Sequence, residues 1–385
     1  MMQRKREIIY LAGFLLAMPI ALTSYLNSSI LETYAGKNYL GIIYVIASII
    51  TIIGMLSMPR ILNRFGNRQT VLIYSLLFLL SLVLIALGGK GFIVLPAFIL
   101  YFTFTTSNLI FASLDIFIED FSKNSPIGGI RGIYLTLISL AWVISQVISG
   151  SIIAKSSFRG IYLLSALFTA LLCIIFVLFL HNFKDPKYEK VSIMQTIYLF
   201  FAKKNILKVY LISLILKFFY AWMVIYTPIY MHEYIGFNWS EIGIIFGIML
   251  LPFIILEFPL GRLSDNMGER KMLIIGFLII SISTLMIPFF TTKEFFLWAF
   301  ILFTTRVGAA IIEIMSENLF FKSIREEETN VLSFFRSTNP LSYIIAPLLA
   351  IPVLLLVPSF QYLFYILGAI MLGGFLISLR LTDVR

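Results

Sequence analysis

The sequence predicts an all-α polytopic membrane protein, with twelve transmembrane helices in two pseudo-symmetric bundles of six and both termini cytoplasmic. Three observations carry this. Hydrophobic residues make up 60% of the 385-residue chain and charged residues 12%, against about 45–50% and about 25% in soluble domains. So little polar surface cannot cover a core in water. Apolar runs recur along the whole chain, each near the ~20 residues that one bilayer crossing needs. Landmarks of the first half also return in the second half, at offsets of 198–202 residues.

The first run follows Arg4, Lys5 and Arg6, a pattern shared with secretory signal peptides. It continues past Pro19 to about residue 30 with no small-x-small cleavage site, so a retained first span is expected. The first six spans read as about 8–31, 39–58, 70–88, 92–118, 130–154 and 159–180. The second six read as about 206–231, 240–260, 272–290, 295–320, 331–356 and 359–380. Short turns at Gly88 to Gly91, Lys155 to Arg159 and Val357-Pro358 separate hairpinned neighbours.

Basic residues set the orientation. With the N-terminus inside, the inner segments hold 22 Lys and Arg and the outer ones 5, and two more, Lys217 and Arg306, fall within spans. That bias follows the positive-inside rule and places both termini in the cytoplasm; the expected location is the cytoplasmic (plasma) membrane. The net charge of +10 is therefore a topological feature in contact with membrane lipids, and no nucleic-acid partner is expected. The single cysteine, Cys173, lies in an apolar run and excludes an intrachain disulfide.

The longest polar stretch between spans runs from His181 to Asn205. It divides the chain into a bundle at 1–181, a cytoplasmic loop at 182–205 and a bundle at 206–385. The loop carries an amphipathic helix over 193–201, expected on the membrane surface. Trp239, Trp298 and Tyr362 are expected in the aromatic belts at the membrane interfaces.

The halves repeat each other. Pro59-Arg60-Ile61-Leu62-Asn63-Arg64-Phe65-Gly66-Asn67-Arg68 follows span 2, and Gly261-Arg262-Leu263-Ser264-Asp265-Asn266-Met267-Gly268-Glu269-Arg270-Lys271 follows span 8. Asn108, Asp115 and Glu119 in span 4 answer to Arg306, Glu313 and Glu317 in span 10, and Gly41 answers to Gly243. Parallel six-span repeats are a transporter plan. The segment Gly261 to Lys271 resembles the G-x-x-x-D-x-x-G-x-[KR]-[KR] loop of the major facilitator superfamily, and the copy after span 2 is a degraded version. Two positions depart from the family pattern. Asn63 replaces the acid in the first half, and Glu269 stands where the family often has Arg.

The resemblance implies a cytoplasmic gate that latches the halves when the protein faces outward. Its expected members are Asn63, Gly66, Arg68, Glu119, Arg131, Glu257, Gly261, Asp265, Gly268, Arg270, Lys271, Glu317 and Arg336. The glycines allow tight turns, and Asp265 can accept hydrogen bonds from a helix N-terminus. Arg68 and Arg270 can pair with acids at the inner ends of spans 4 and 10. Salt bridges of Glu119 to Arg131 and of Glu317 to Arg336 are an equally good reading of those four residues. The resemblance also implies a cavity lined by spans 1, 4, 7 and 10. Its candidate substrate and ion residues are Lys217, Arg306, Glu313, Asn108 and Asp115. Spacings of seven and four put each trio of spans 4 and 10 on one helical face. Charges at mid-membrane cost at least about 2.5 kcal/mol each on insertion scales, so they face a cavity or a partner. Lys217 and Glu313 fall at similar depth, which predicts one cluster of Lys217, Arg306 and Glu313 with Asn108 facing it.

The resulting expectation is a monomeric secondary active transporter working by alternating access, coupled to protons. It either exports drug-like compounds or moves a small anionic or polar metabolite. Neither a cofactor nor a metal site is expected, and no P-loop, H-E-x-x-H or G-x-S-x-G motif occurs. The competing reading is a Mg²⁺-dependent intramembrane enzyme of the prenyltransferase kind. It rests on the acidic pairs Asp115 with Glu119-Asp120 and Glu313 with Glu317, and it leaves the duplication unexplained.

Overall fold

The structure, a computed structural model, describes residues 2–88, 91–106, 108–122, 127–155, 158–179, 204–323 and 335–381. Within those ranges, the side chains at 2–5, 37–38, 112, 119–122, 127–132, 204, 257–258, 261–266 and 321 are outside the description. Every regular element among the described residues is helical. Ten helices are long and apolar enough to cross a bilayer, and the bent pair Gly91–Thr106 with Leu109–Ile118 adds an eleventh crossing. One of the ten, Tyr39–Leu87, has 49 residues. At ~1.5 Å per residue it is about 74 Å long, more than twice a ~30 Å hydrocarbon core. It breaks at Gly66, where φ is 74° and ψ 166°, and so holds predicted spans 2 and 3. Counted this way, the helices fit six crossings in each half.

The chain forms two compact units, Met1–Lys190 and Val191–Arg385. The amphipathic segment expected at 193–201 lies outside the described residues. In the first unit, spans 5 and 6 pack on span 1, and the long Lys37–Leu87 element packs on spans 4 and 6. Gly13 admits the ring of Tyr134, which would collide with any Cβ there. Span 1 is two helices, Met2–Ser24 and Asn27–Ala35, joined by a turn at Tyr25 and Leu26. A buried polar network surrounds this break. Thr23 Oγ1 and Tyr101 Oη lie 2.5 Å apart, Asn27 Nδ2 donates to Tyr101 Oη at 3.1 Å, and Tyr162 Oη donates to Asn27 Oδ1 at 2.8 Å. Buried polar groups need such partners, because water cannot supply them inside the unit.

Span 4 also breaks, bending by 44° between Gly91–Thr106 and Leu109–Ser122. Asn108 stands at the break with φ 53°. Asn is one of the few residues with a Cβ that enters the left-handed region readily, since its short side chain can hydrogen-bond locally. Neither break is legible in the apolar pattern.

In the second unit, span 7 runs from Lys204 to Ile229 and ends in a π-helical turn at Tyr230–Tyr234, just after Pro228. Proline removes a backbone donor and crowds the preceding turn, which favours a local change of helical pitch. Span 9 packs on spans 10 and 12, and span 7 packs on spans 10, 11 and 12. Spans 9 and 10 touch through bare backbone. A Cβ on Gly308 would lie 2.7 Å from the carbonyl oxygen of Gly276. Close approach through small residues is the usual means of helix association where lipid removes the hydrophobic driving force.

The repeat extends to backbone geometry. Gly66 and Gly268 share the same region, at φ 74°, ψ 166° and φ 81°, ψ 145°. Gly36 and Gly236, in the turns after spans 1 and 7, match as well, with φ 81° and 85°. One expectation is corrected. Trp298 is not in an interfacial belt but fully buried. Its Nε1 donates to the Thr292 carbonyl at 3.0 Å, and its ring meets Tyr230 at 5.9 Å and Phe237 at 6.2 Å. An indole whose N–H finds an internal acceptor has no need of the interface.

Candidate functional site

Spans 7 and 10 pack side by side in the second unit. A spacing of three puts Lys217 and Tyr220 on one face of span 7, and a spacing of seven puts Arg306 and Glu313 on one face of span 10. These faces meet. Lys217 Nζ lies 2.5 Å from Glu313 Oε1, and Tyr220 Oη donates to Glu313 Oε2 at 2.9 Å. Both carboxylate oxygens are thus engaged from span 7. The ion-paired side chains stay partly accessible, at 23% for Lys217 and 27% for Glu313.

Arg306 is 1% exposed. Its guanidinium lies over the ring of Phe219 at 5.0 Å and over Tyr220 at 5.3 Å. Weakly hydrated and planar, a guanidinium is well suited to such stacking. The three charged residues expected together are therefore brought together, but in two parts. Glu313 holds Lys217, aromatic rings hold Arg306, and Tyr220 belongs to both. Sequence reasoning missed Tyr220, for which the available signal was its one-turn spacing from Lys217.

Asn108 and Asp115 belong to the other unit. Asn108 is half-buried at the span 4 break, and Asp115 is half-buried on Leu109–Ser122. Among the described residues, no three His, Cys, Asp or Glu side chains gather as metal ligands do.

The expected gate residues divide. Gly66 and Gly268 make the turns assigned to them. Asn63 is exposed and donates from Nδ2 to the Pro59 carbonyl of its own helix at 2.8 Å. Arg68 is half-buried, Lys271 and Glu317 are exposed, and Arg336 is half-buried. The side chains of Glu119, Arg131, Glu257 and Asp265, and the surroundings of Gly261, are outside the described residues. Arg270 reaches span 12, where its Nη2 donates to the Leu379 carbonyl at 2.7 Å. Lys208 of span 7 donates to the next carbonyl, that of Arg380, at 2.5 Å. Two cations thus sit at the C-terminal end of one helix, where orphan carbonyls and the helix dipole favour positive charge.

The departures from the loop motif have structural partners. Glu269 is 3% exposed, and Lys322 in the last turn of span 10 donates to its Oε1 at 2.5 Å. Its first-half counterpart Asn67 is fully buried and donates from Nδ2 to the Ser113 carbonyl of span 4 at 3.0 Å. Equivalent positions of the repeat therefore tie equivalent helices, with a charged pair in one half and an amide-to-backbone bond in the other.

Residues 9–249 and 209–385 match the family model described as Major Facilitator Superfamily. No curated protein matches the chain by sequence. Among solved structures, a D-xylose-proton symporter superposes with a TM-score of 0.79 at 16% identity, covering 99% of this chain and 98% of its own. A point mutant of the nucleoside transporter NupG gives 0.77 at 11%, covering 97% and 99%. A POT family transporter in complex with 5-aminolevulinic acid gives 0.79 at 13%, covering 98% and 95%. At these identities the likeness is one of fold.

Proposed function

The chain belongs to the major facilitator superfamily, and from that premise we propose that it is a proton-coupled secondary active transporter of a small polar or charged metabolite in the cytoplasmic membrane. One observation carries the reading. Glu313 is a carboxylate inside a membrane span, partly accessible, with Lys217 on one oxygen and a tyrosine hydroxyl on the other. An intramembrane acid so held has two states that differ by a proton. Neutralising it leaves Lys217 without its counter-charge, which is a large local change at low dielectric. Transport then proceeds by alternating access, with the proton gradient supplying the free energy. Solutes named for similar structures, among them a nucleoside, D-xylose and 5-aminolevulinic acid, are polar and small, in keeping with an ion pair rather than a greasy wall. Export of drug-like compounds is the second reading. It is favoured by the aromatic side of the same site, where Tyr220 and Phe253 meet edge to face at 6.3 Å.

The test is a thermal-shift screen of purified protein against polar metabolites and lipophilic cations, followed by proteoliposome flux with and without an imposed pH gradient. The expected result is flux of a polar solute that follows the gradient and is lost in Glu313→Gln. Flux independent of pH and retained in Glu313→Gln would remove proton coupling. Flux of lipophilic cations alone would favour export.

A further inference from the structure

Arg306 and Glu313 stand two turns apart on span 10, about 10 Å along its axis at ~1.5 Å per residue. Tyr220 of span 7 bridges the interval. Its hydroxyl donates to Glu313 Oε2 at 2.9 Å, and its ring lies 5.3 Å from the Arg306 guanidinium and 5.2 Å from the Lys217 ammonium. One side chain thus touches all three charges of the site.

We propose that Tyr220 is a positioning residue that makes the ionisation of Glu313 and the seating of Arg306 a single event. The proposal rests on the transport reading, in which Glu313 carries the proton. A hydroxyl that donates to a carboxylate makes a charge-assisted bond, roughly twice as strong as a neutral one. Ionised Glu313 therefore fixes the phenol, and the fixed ring presents its face to Arg306 within the ~6 Å over which a cation is drawn to it. When Glu313 is neutral, the hydroxyl loses the stronger half of that bond and the ring is less constrained. Arg306 is then held by Phe219 more than by Tyr220. The link is local, physical and reversible, as a coupling element must be.

The groups that face Glu313 limit what else can set its titration. From its own helix these are Arg306, two turns outward, and Glu317, about one turn inward. From span 7 they are Lys217 and Tyr220. Spans 8 and 9 also pack on span 10. On span 8 the described titratable side chain is Glu241, at the outer end and 2.8 Å from Lys293. On span 9 they are Glu269, Arg270 and Lys271, at the inner end, with Glu269 held by Lys322. Among the described side chains of these four helices, only the first four lie at the depth of the site.

The experiment uses the full chain in lipid nanodiscs with protons as the probe, followed by infrared difference spectroscopy from alkaline to acid pH. Glu313→Gln is expected to remove one protonated-carboxyl band and so assign it. Tyr220→Phe keeps the ring and its packing and removes only the hydroxyl. In it, the pH at which that band appears is expected to change, because one hydrogen bond to a charged group is lost. Arg306→Met is expected to move the band in the parent, and to move it by about half as much or less in the Tyr220→Phe background, a non-additivity that a double-mutant cycle measures. An unshifted band in Tyr220→Phe, or an equal effect of Arg306→Met in both backgrounds, overturns the link while leaving Glu313 as the proton carrier. If Glu313→Gln removes no band, the proton-coupling reading falls, and the link falls with it.

Discussion

Glu313 shows how a single side chain acquires meaning from its neighbours. In a span of mean apolar character it would be an expensive lone charge, but Lys217 and Tyr220 occupy both its oxygens. Removing one partner leaves the other desolvated and unsatisfied, which costs about 1–3 kcal/mol, whereas removing both charges also removes the desolvation penalty. Lys217→Met and Glu313→Gln are therefore each expected to lower the unfolding temperature of the detergent-purified protein. The double variant is expected to unfold at a higher temperature than the worse single one. A double variant with the summed loss would show that the pair does not interact in the folded protein.

At the scale of helices, span 10 is tied to span 9 by charges near its C-terminal end and by bare backbone in its middle. Glu269 is 3% exposed and Lys322 47%, so the two ends of their bond are unequal. Lys322→Ala strands a buried carboxylate, while Glu269→Gln leaves a lysine that water can solvate. The exposed residue is thus the costlier one to remove, by about 1–3 kcal/mol, and thermal unfolding of the two variants should rank them in that order. The reverse ranking would mean that Glu269 is solvated in the folded protein. Gly308 has no room for a side chain against Gly276. Gly308→Leu is expected to destabilise the unit by about 1–3 kcal/mol through overpacking, read as a lower unfolding temperature and looser trypsin resistance. Gly373, whose Cβ would meet nothing within 4 Å, supplies the control, since Gly373→Leu should leave both unchanged.

Across the whole molecule the repeat matches at its turn glycines and differs in its helix breaks and its chemistry. The turns at Gly66 and Gly268 coincide in conformation, yet Asn67 and Glu269 tie their helices by different bonds. Asn63 bonds within its own helix, so Asn63→Ala removes a local contact worth a few tenths of a kcal/mol on the scale of an exposed site. Position 265 carries the acid of the loop motif, a residue type that helix N-termini favour. Asp265→Ala is therefore expected to slow conformational cycling, measured as the rate of solute counterflow in proteoliposomes, severalfold more than Asn63→Ala at equal protein level. Equal slowing would show that the two loops serve the same role despite their chemistry.

By itself, the sequence determined the class of solvent, the division into halves and the register of the repeat. These follow from apolar run length, basic-residue placement and turn glycines, all of which act locally or through the bilayer and need no partner helix. It also placed Lys217, Arg306 and Glu313 at compatible depths, because the rise of a helix is fixed. What only the tertiary structure decided is which neighbour each charge meets. That Glu313 is shared between Lys217 and Tyr220, that Arg306 rests on rings, and that Glu269 holds Lys322 all depend on how two helix faces are rotated against each other. The breaks of span 1 at Tyr25-Leu26 and of span 4 at Asn108 belong to the same category. An apolar run looks continuous whether or not its helix is, and in span 1 it is the polar partners on other helices, Tyr101 and Tyr162, that satisfy the side chains around the turn.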